Sequence, residues 1–134
     1  MQEALVDTDI LSFFFKGDGK VVEKFNSYLK ESDVINISII TYYEILGGLK
    51  FNKAKRQLKE FEEFVRNNAI IHLSEESARR SGDIYAELRQ RGIAIGTSDT
   101  LIAGIAIEHD LVLITNNEKH FESVRGLKIE NWKK

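Results

Sequence analysis

The chain has 134 residues, 43% hydrophobic and 30% charged, a balance that fits one soluble globular domain over residues 1–134 and excludes disordered and membrane-spanning classes. Cysteine is absent, so neither a disulfide framework nor a thiolate metal site is available, and any metal must bind through oxygen or histidine. A net charge of -2 gives the molecule no overall attraction for nucleic acid, so such contacts have to be local.

The first stretch, MQEALVDTDILSFFFKGDGK, carries Glu3, Asp7 and Asp9 where a secretory signal needs basic residues ahead of an apolar run. No segment reaches the roughly 20 apolar residues of a membrane span. A cytoplasmic protein with no membrane contact is expected. Ala4 to Val6 reads as a short buried strand that ends at Asp7, with Thr8 and Asp9 placed to cap the helix that follows. In VVEKFNSYLKE, residues Val22, Phe25, Tyr28 and Leu29 form one helix face, and Val34 to Ile37 reads as a second strand.

Beyond that strand, ISIITYYEILGGL places Glu44 near another helix start. Thr41 and Glu44 match a capping box, with Ile40 and Ile45 as its hydrophobic staple, a reading that requires no function. LKFNKAKRQLK gathers Lys50, Lys53, Lys55, Arg56 and Lys59; the ordinary reading of such a run is a solvated helix face. RQLKEFEEFVRN repeats the helical spacing with Leu58, Phe61, Phe64 and Val65. Ala69 to His72 reads as a third strand, and SARRSGDIYAELRQRG as a helix closed by Gly92.

GTSDTLIAGIAIEHDLVLITNN opens a nearly all-apolar helix with Asp99, capped by Ser98 or Thr97. A carboxylate in the first turn favours the positive end of the helix dipole. Asp99 also shares a stripe with Ile102, Ala103 and Ala106, which turns it inward. Leu111 to Ile114 is a fourth strand, followed by Thr115, Asn116 and Asn117, and Leu127 to Ile129 a fifth. Strands alternating with helices predict an α/β fold: a mainly parallel sheet of about five strands flanked by helices.

In such a sheet the strand-to-helix junctions lie along one edge, where open α/β sheets bind ligands. Asp7, Glu44 and Asp99 all fall at junctions. Three carboxylates within about 4 Å repel by roughly 4 kcal/mol per pair at an effective dielectric near 20, so protons or a divalent cation must compensate. Oxygen ligands suit Mg²⁺ or Mn²⁺. Each acid has an ordinary alternative: Asp7 as a turn or cap residue, Glu44 as a cap, Asp99 as a first-turn acid.

On these motifs the chain resembles the PIN-domain ribonucleases, and within them the VapC-like toxins of toxin–antitoxin pairs. LVDTDIL is similar to that family's opening motif, ISIITYYEILGGL to its Ser-Thr-Glu helix start, and IGTSDTLIAGIAIEHDLVLITNNEKHF to its C-terminal signature. The resemblance implies a PIN-like three-layer fold and a Mg²⁺- or Mn²⁺-dependent endoribonuclease with Asp7, Glu44 and Asp99 as metal-binding and catalytic acids. It implies Thr41 and Asp9 in supporting roles, Asp9 standing where the family often has Asn. Many relatives carry a further acid in the turn after the last core strand, where this chain reads TNNEKHF; Thr115, Asn116 or Asn117 would orient a water instead. His120 reads as a partly exposed helix-start residue. Lys50, Lys53, Lys55, Arg56, Arg89 and Arg91 are the candidates for contact with the RNA backbone, which positions without specifying sequence. A VapB-like antitoxin and a second copy of the chain are the implied partners, with the hairpin from Tyr42 to Val65 as their interface.

Two rivals come from other classes. LVDTDIL also looks like the DxD opening of haloacid-dehalogenase phosphatases, and ISII offers Ser38 as their hydroxyl, yet TNNEKHF lacks their late acidic pair. The other rival is a PIN-fold interaction module without catalysis.

Overall fold

The computed structural model describes residues 2–134. Five short strands, β1 (Ala4–Val6), β2 (Asn36–Ser38), β3 (Ala69–Ile71), β4 (Val112–Ile114) and β5 (Ile129–Glu130), form one sheet in the order β3-β2-β1-β4-β5. All four pairings are parallel, with Leu5 beside both Asn36 and Leu113. The helices between them are α1 (Thr8–Phe15), α2 (Gly19–Leu29), α3 (Ile39–Phe51), α4 (Lys55–Arg66), α5 (Glu75–Gln90), α6 (Thr97–Glu108) and α7 (Glu118–Phe121).

The sheet divides two cores, giving the expected three layers. Along β1, Ala4 and Val6 join one core with Ile10, Phe25, Phe61 and Trp132, while Leu5 joins the other with Leu88, Ile102 and Leu113. That division follows from the period-2 alternation of a strand covered on both faces. α6 is apolar nearly all round because it is wedged between the sheet and α5. Gly104 lets the two helices approach: a Cβ there would lie 2.6 Å from the Ser77 carbonyl oxygen and 2.9 Å from the Ser81 amide nitrogen.

Several local expectations shift. α2 buries Val21, Phe25 and Tyr28, while Leu29 is exposed. Asp18 caps that helix, accepting from the Val21 amide, and so fixes which stripe turns inward. α3 begins at Ile39, capped by Ser38, whose hydroxyl accepts from the Thr41 amide at 3.0 Å. The Thr41–Glu44 capping box and the Ile40–Ile45 staple are therefore not formed: Thr41 is the donor of the capped amide, and Glu44 lies in the second turn. Asp7, rather than Thr8 or Asp9, caps α1. Gly96 occupies the cap position of α6, so neither Thr97 nor Ser98 fills it. Gly92, at φ 73°, follows the last residues of α5 in the left-handed conformation expected of a helix stop.

β1 is the switch point of the sheet. The chain moves from β1 outward through β2 to β3, then returns to the other side of β1 as β4. Ligands of open α/β sheets bind outside the carboxyl ends of the strands at such a point.

Candidate active site

Asp7 stands at that point, directly after β1, with only 4% of its surface exposed. Its Oδ1 accepts from the Thr8 amide at 2.8 Å and its Oδ2 from the Thr115 hydroxyl at 2.8 Å. Thr115, buried at the end of β4, accepts in turn from the Asn117 amide at 3.0 Å. Burial pushes the Asp7 carboxyl up to about 7; the negative charge of Asp9 adds to the rise, the bonds from Thr115 and Thr8 oppose it, and Asp99 raises it further. Among the described residues, no cationic group contributes to the electrostatics of Asp7.

Asp9 lies in the first turn of α1. Its Oδ1 accepts from the Ile10 amide at 2.7 Å, and its Oδ2 from the Asn116 amide at 3.1 Å. Burial raises its pKa, the backbone bonds from Asn116 and Ile10 counter the rise, and Asp99 adds to it. Asp9 thus belongs to the cluster electrostatically as well as sterically.

Glu44 reaches the same region from α3. The Thr8 hydroxyl donates to its Oε1 at 2.6 Å. Since that hydroxyl has one hydrogen, the Thr41 hydroxyl, 2.9 Å away, must donate to it. Thr8 is therefore the link between Glu44 and the β1 junction, a role that its sequence neighbours did not suggest.

Asp99 sits in the first turn of α6, and 24% of its side chain is exposed. Its Oδ2 is 3.0 Å from Nδ1 of His120 on α7. His120 is more exposed than the partial exposure expected of it, and its ring meets Asp99.

The turn after β4 acts through its backbone and through Thr115. The Asn116 side chain points instead toward the C-terminal segment, its Oδ1 accepting from Asn131 Nδ2 at 3.0 Å. Glu118, the acid in that turn, accepts from Asn131 at 3.0 Å and pairs with Lys134 at 2.8 Å. The Asn131 bond, aided by Lys134, holds the Glu118 carboxyl below its usual range. No contact links it to the other acids.

The basic candidates divide into two groups. Lys50, Lys53, Lys55 and Arg56 lie where α3 meets α4, at the far end of α3 from Ser38. Arg89 and Arg91 lie where α5 leads into α6, at the end that carries Asp99. Arg89 covers the Tyr85 ring, 5.7 Å from its centroid. Arg91 pairs with Glu87 at 3.2 Å and donates to the Ser123 carbonyl at 3.1 Å, both through the same guanidinium nitrogen.

Among the described residues, no three Asp, Glu or His side chains converge as ligands of a single ion. The donor chemistry nevertheless suits a hard divalent cation: Asp7, Asp9 and Asp99 are close enough to raise the Asp7 pKa, and Glu44 is tied to the same junction through Thr8. A cation held there would supply the positive charge that the described side chains do not bring to Asp7.

A family model described as PIN domain matches residues 4–127, and the chain belongs to the PIN-domain family. It is 34% identical over 134 residues to the tRNA(fMet)-specific endonuclease VapC of Shigella flexneri, covering 98% of this chain and 99% of that one. It is 35% identical over 127 residues to ribonuclease VapC1 of Methanocaldococcus jannaschii, covering 93% of this chain and 85% of the relative. Among solved structures, the DNA-bound VapBC of Salmonella typhimurium superposes with a TM-score of 0.87 at 32% identity, covering 98% of this chain and 99% of that chain. This membership replaces the haloacid-dehalogenase alternative raised by LVDTDIL.

Proposed function

We propose that residues 1–134 form one PIN-like domain that works in the cytoplasm as a Mg²⁺- or Mn²⁺-dependent endoribonuclease, the toxin of a toxin–antitoxin pair. The observation that carries this reading is the uncompensated Asp7 carboxyl, set among Asp9, Glu44 and Asp99 at the switch point of a PIN-domain sheet. The VapC relatives named as nucleases support the choice of RNA as substrate.

Asp7, Glu44 and Asp99 would hold the cation, with Asp9 supporting them. A divalent cation held there would supply activation of water near neutral pH and offset charge on the phosphate. The protein's own contribution is orientation. Thr115 and the Thr8 amide fix both oxygens of Asp7, Thr8 and Thr41 fix Glu44, and the Asn116 amide fixes Asp9. Lys50, Lys53, Lys55, Arg56, Arg89 and Arg91 supply phosphate contacts. No protein nucleophile is needed, and cysteine is absent.

A VapB-like antitoxin restrains the nuclease, a reading supported by the VapBC complexes among the structural neighbours, and a second copy of the chain completes a homodimer. The hairpin of α3 and α4 is suited to partners: Tyr43 and Phe51 are 71% and 85% exposed. Sequencing of cleaved RNA ends in cells expressing the chain beside an Asp7→Asn control tests the reading. Ends unique to the wild type are expected; identical ends in both samples would remove it.

A further inference from the structure

Resting on the nuclease reading, we propose that His120 is a positioning residue for the metal site: its imidazole Nδ1 holds Asp99 Oδ2, so that the carboxylate presents its other oxygen to the ion. Nothing in the fold of α6 itself supplies this constraint. The helix has no side-chain cap, and among the described residues the Asp99 carboxylate takes its hydrogen bond from His120. Across the turn, α7 brings His120 to 3.0 Å.

An ionised carboxylate only accepts, so Nδ1 carries the hydrogen in this bond. His120 itself lines an open cleft together with Asn116, Asn117, Lys119 and Glu122. The other three carboxylates are each fixed by donors from the β1 or β4 junctions or from Thr8; His120 does for Asp99 what those donors do for Asp7, Asp9 and Glu44. Partners that orient metal ligands are worth about 10- to 100-fold in metal affinity. Because His120 is 61% exposed, replacing it removes little packing.

The test uses the full chain stripped of metal and titrated calorimetrically with Mn²⁺, alongside RNA cleavage and melting in chelator. His120→Ala is expected to bind Mn²⁺ about 10- to 100-fold more weakly while melting as the wild type does. His120→Asn, whose amide nitrogen occupies the place of Nδ1, should recover most of the affinity. His120→Gln, whose amide nitrogen lies where Nε2 was, should not, and this pair carries the comparison even where the alanine variant folds poorly. In an Asp99→Asn background His120→Ala should cost nothing further. Wild-type affinity in His120→Ala, equal recovery by Asn and Gln, or an undiminished loss in the double variant would overturn the proposal while leaving the nuclease reading intact. A wild type that neither binds Mn²⁺ nor cuts RNA would overturn both.

Discussion

Thr8 and Glu44 are joined by a 2.6 Å hydrogen bond that ties the start of α1 to the second turn of α3. Glu44 is held from its carboxylate end, by a hydroxyl from another element, and owes nothing to capping its own helix. Glu44→Gln keeps an acceptor for Thr8, so the fold should lose no more than about 1 kcal/mol, the usual net worth of a hydrogen bond. The neutral amide removes one negative charge from the site, so Mn²⁺ affinity and RNA cleavage should fall together. Thermal melting alongside cleavage assays checks this. A variant that cuts at the normal rate would take Glu44 out of the metal site.

Asp7 gives a pH prediction with a definite sign. The folded chain retains the Asp7 proton up to about pH 7, whereas the unfolded chain releases it near 3.8. Between those values the native state binds more protons, so the stability of the metal-free protein falls as pH rises from about 4 to 7 and then levels. The full penalty is on the order of 4 kcal/mol. Asp7→Asn does not titrate and keeps a good cap for α1. It should match the wild type near pH 4 and exceed it by a few kcal/mol near pH 8, as read by urea unfolding in chelator. A constant difference across that range would refute the uncompensated charge.

A cation at this site should remove the penalty. Mn²⁺ at 100 times its dissociation constant is expected to stabilise the wild type by about 2.7 kcal/mol. Asp99→Asn should fold, show a reduced gain and lose metal-dependent cleavage. Thermal unfolding with and without Mn²⁺ provides the measurement, and equal gains in both proteins would return Asp99 to the role of a first-turn acid.

Gly104 is a packing prediction independent of function. A methyl group there meets the Ser77 carbonyl and the Ser81 backbone, which cannot rotate away. Gly104→Ala should therefore destabilise by about 1–3 kcal/mol despite the better helix propensity of alanine. Ser81→Ala goes the other way, because the Ser81 hydroxyl is buried without a hydrogen-bond partner. A gain of about 1 kcal/mol is expected from its removal. Chemical denaturation of the two variants distinguishes the signs.

Much of this arrangement is legible in the sequence because it is local. ALV followed by Asp7, and LVLI followed by Thr115, announce strand ends through apolar runs meeting polar residues, and β1 begins and ends where expected. The cap of α3 is harder to read, since Ser38 and Thr41 are both hydroxyl residues before an apolar run. Pairing of Ser38 with Ile71 extends β2 to Ser38 and settles the choice, a tertiary effect absent from any local window. The same holds for His120 and Asp99, which lie 21 positions apart and meet only because α7 turns back toward α6. Thr8 was hidden differently: flanked by two acids in DTD, it looks like a capping residue until α3 is placed beside it.

The Asp7–Thr115 bond spans 108 positions and the Asp9–Asn116 bond 107, with consequences for the chain as it is made. Synthesis runs from the N-terminus, so β1 and its acids leave the ribosome first and wait for β4, their neighbour in the sheet, until most of the polypeptide has been translated. Until then Asp7 has neither its hydroxyl donor nor its buried setting, and Asp9 lacks the Asn116 amide. A nascent chain thus carries the acids without the site. The complete arrangement of acids and donors therefore exists only once β4 and the turn after it have been made.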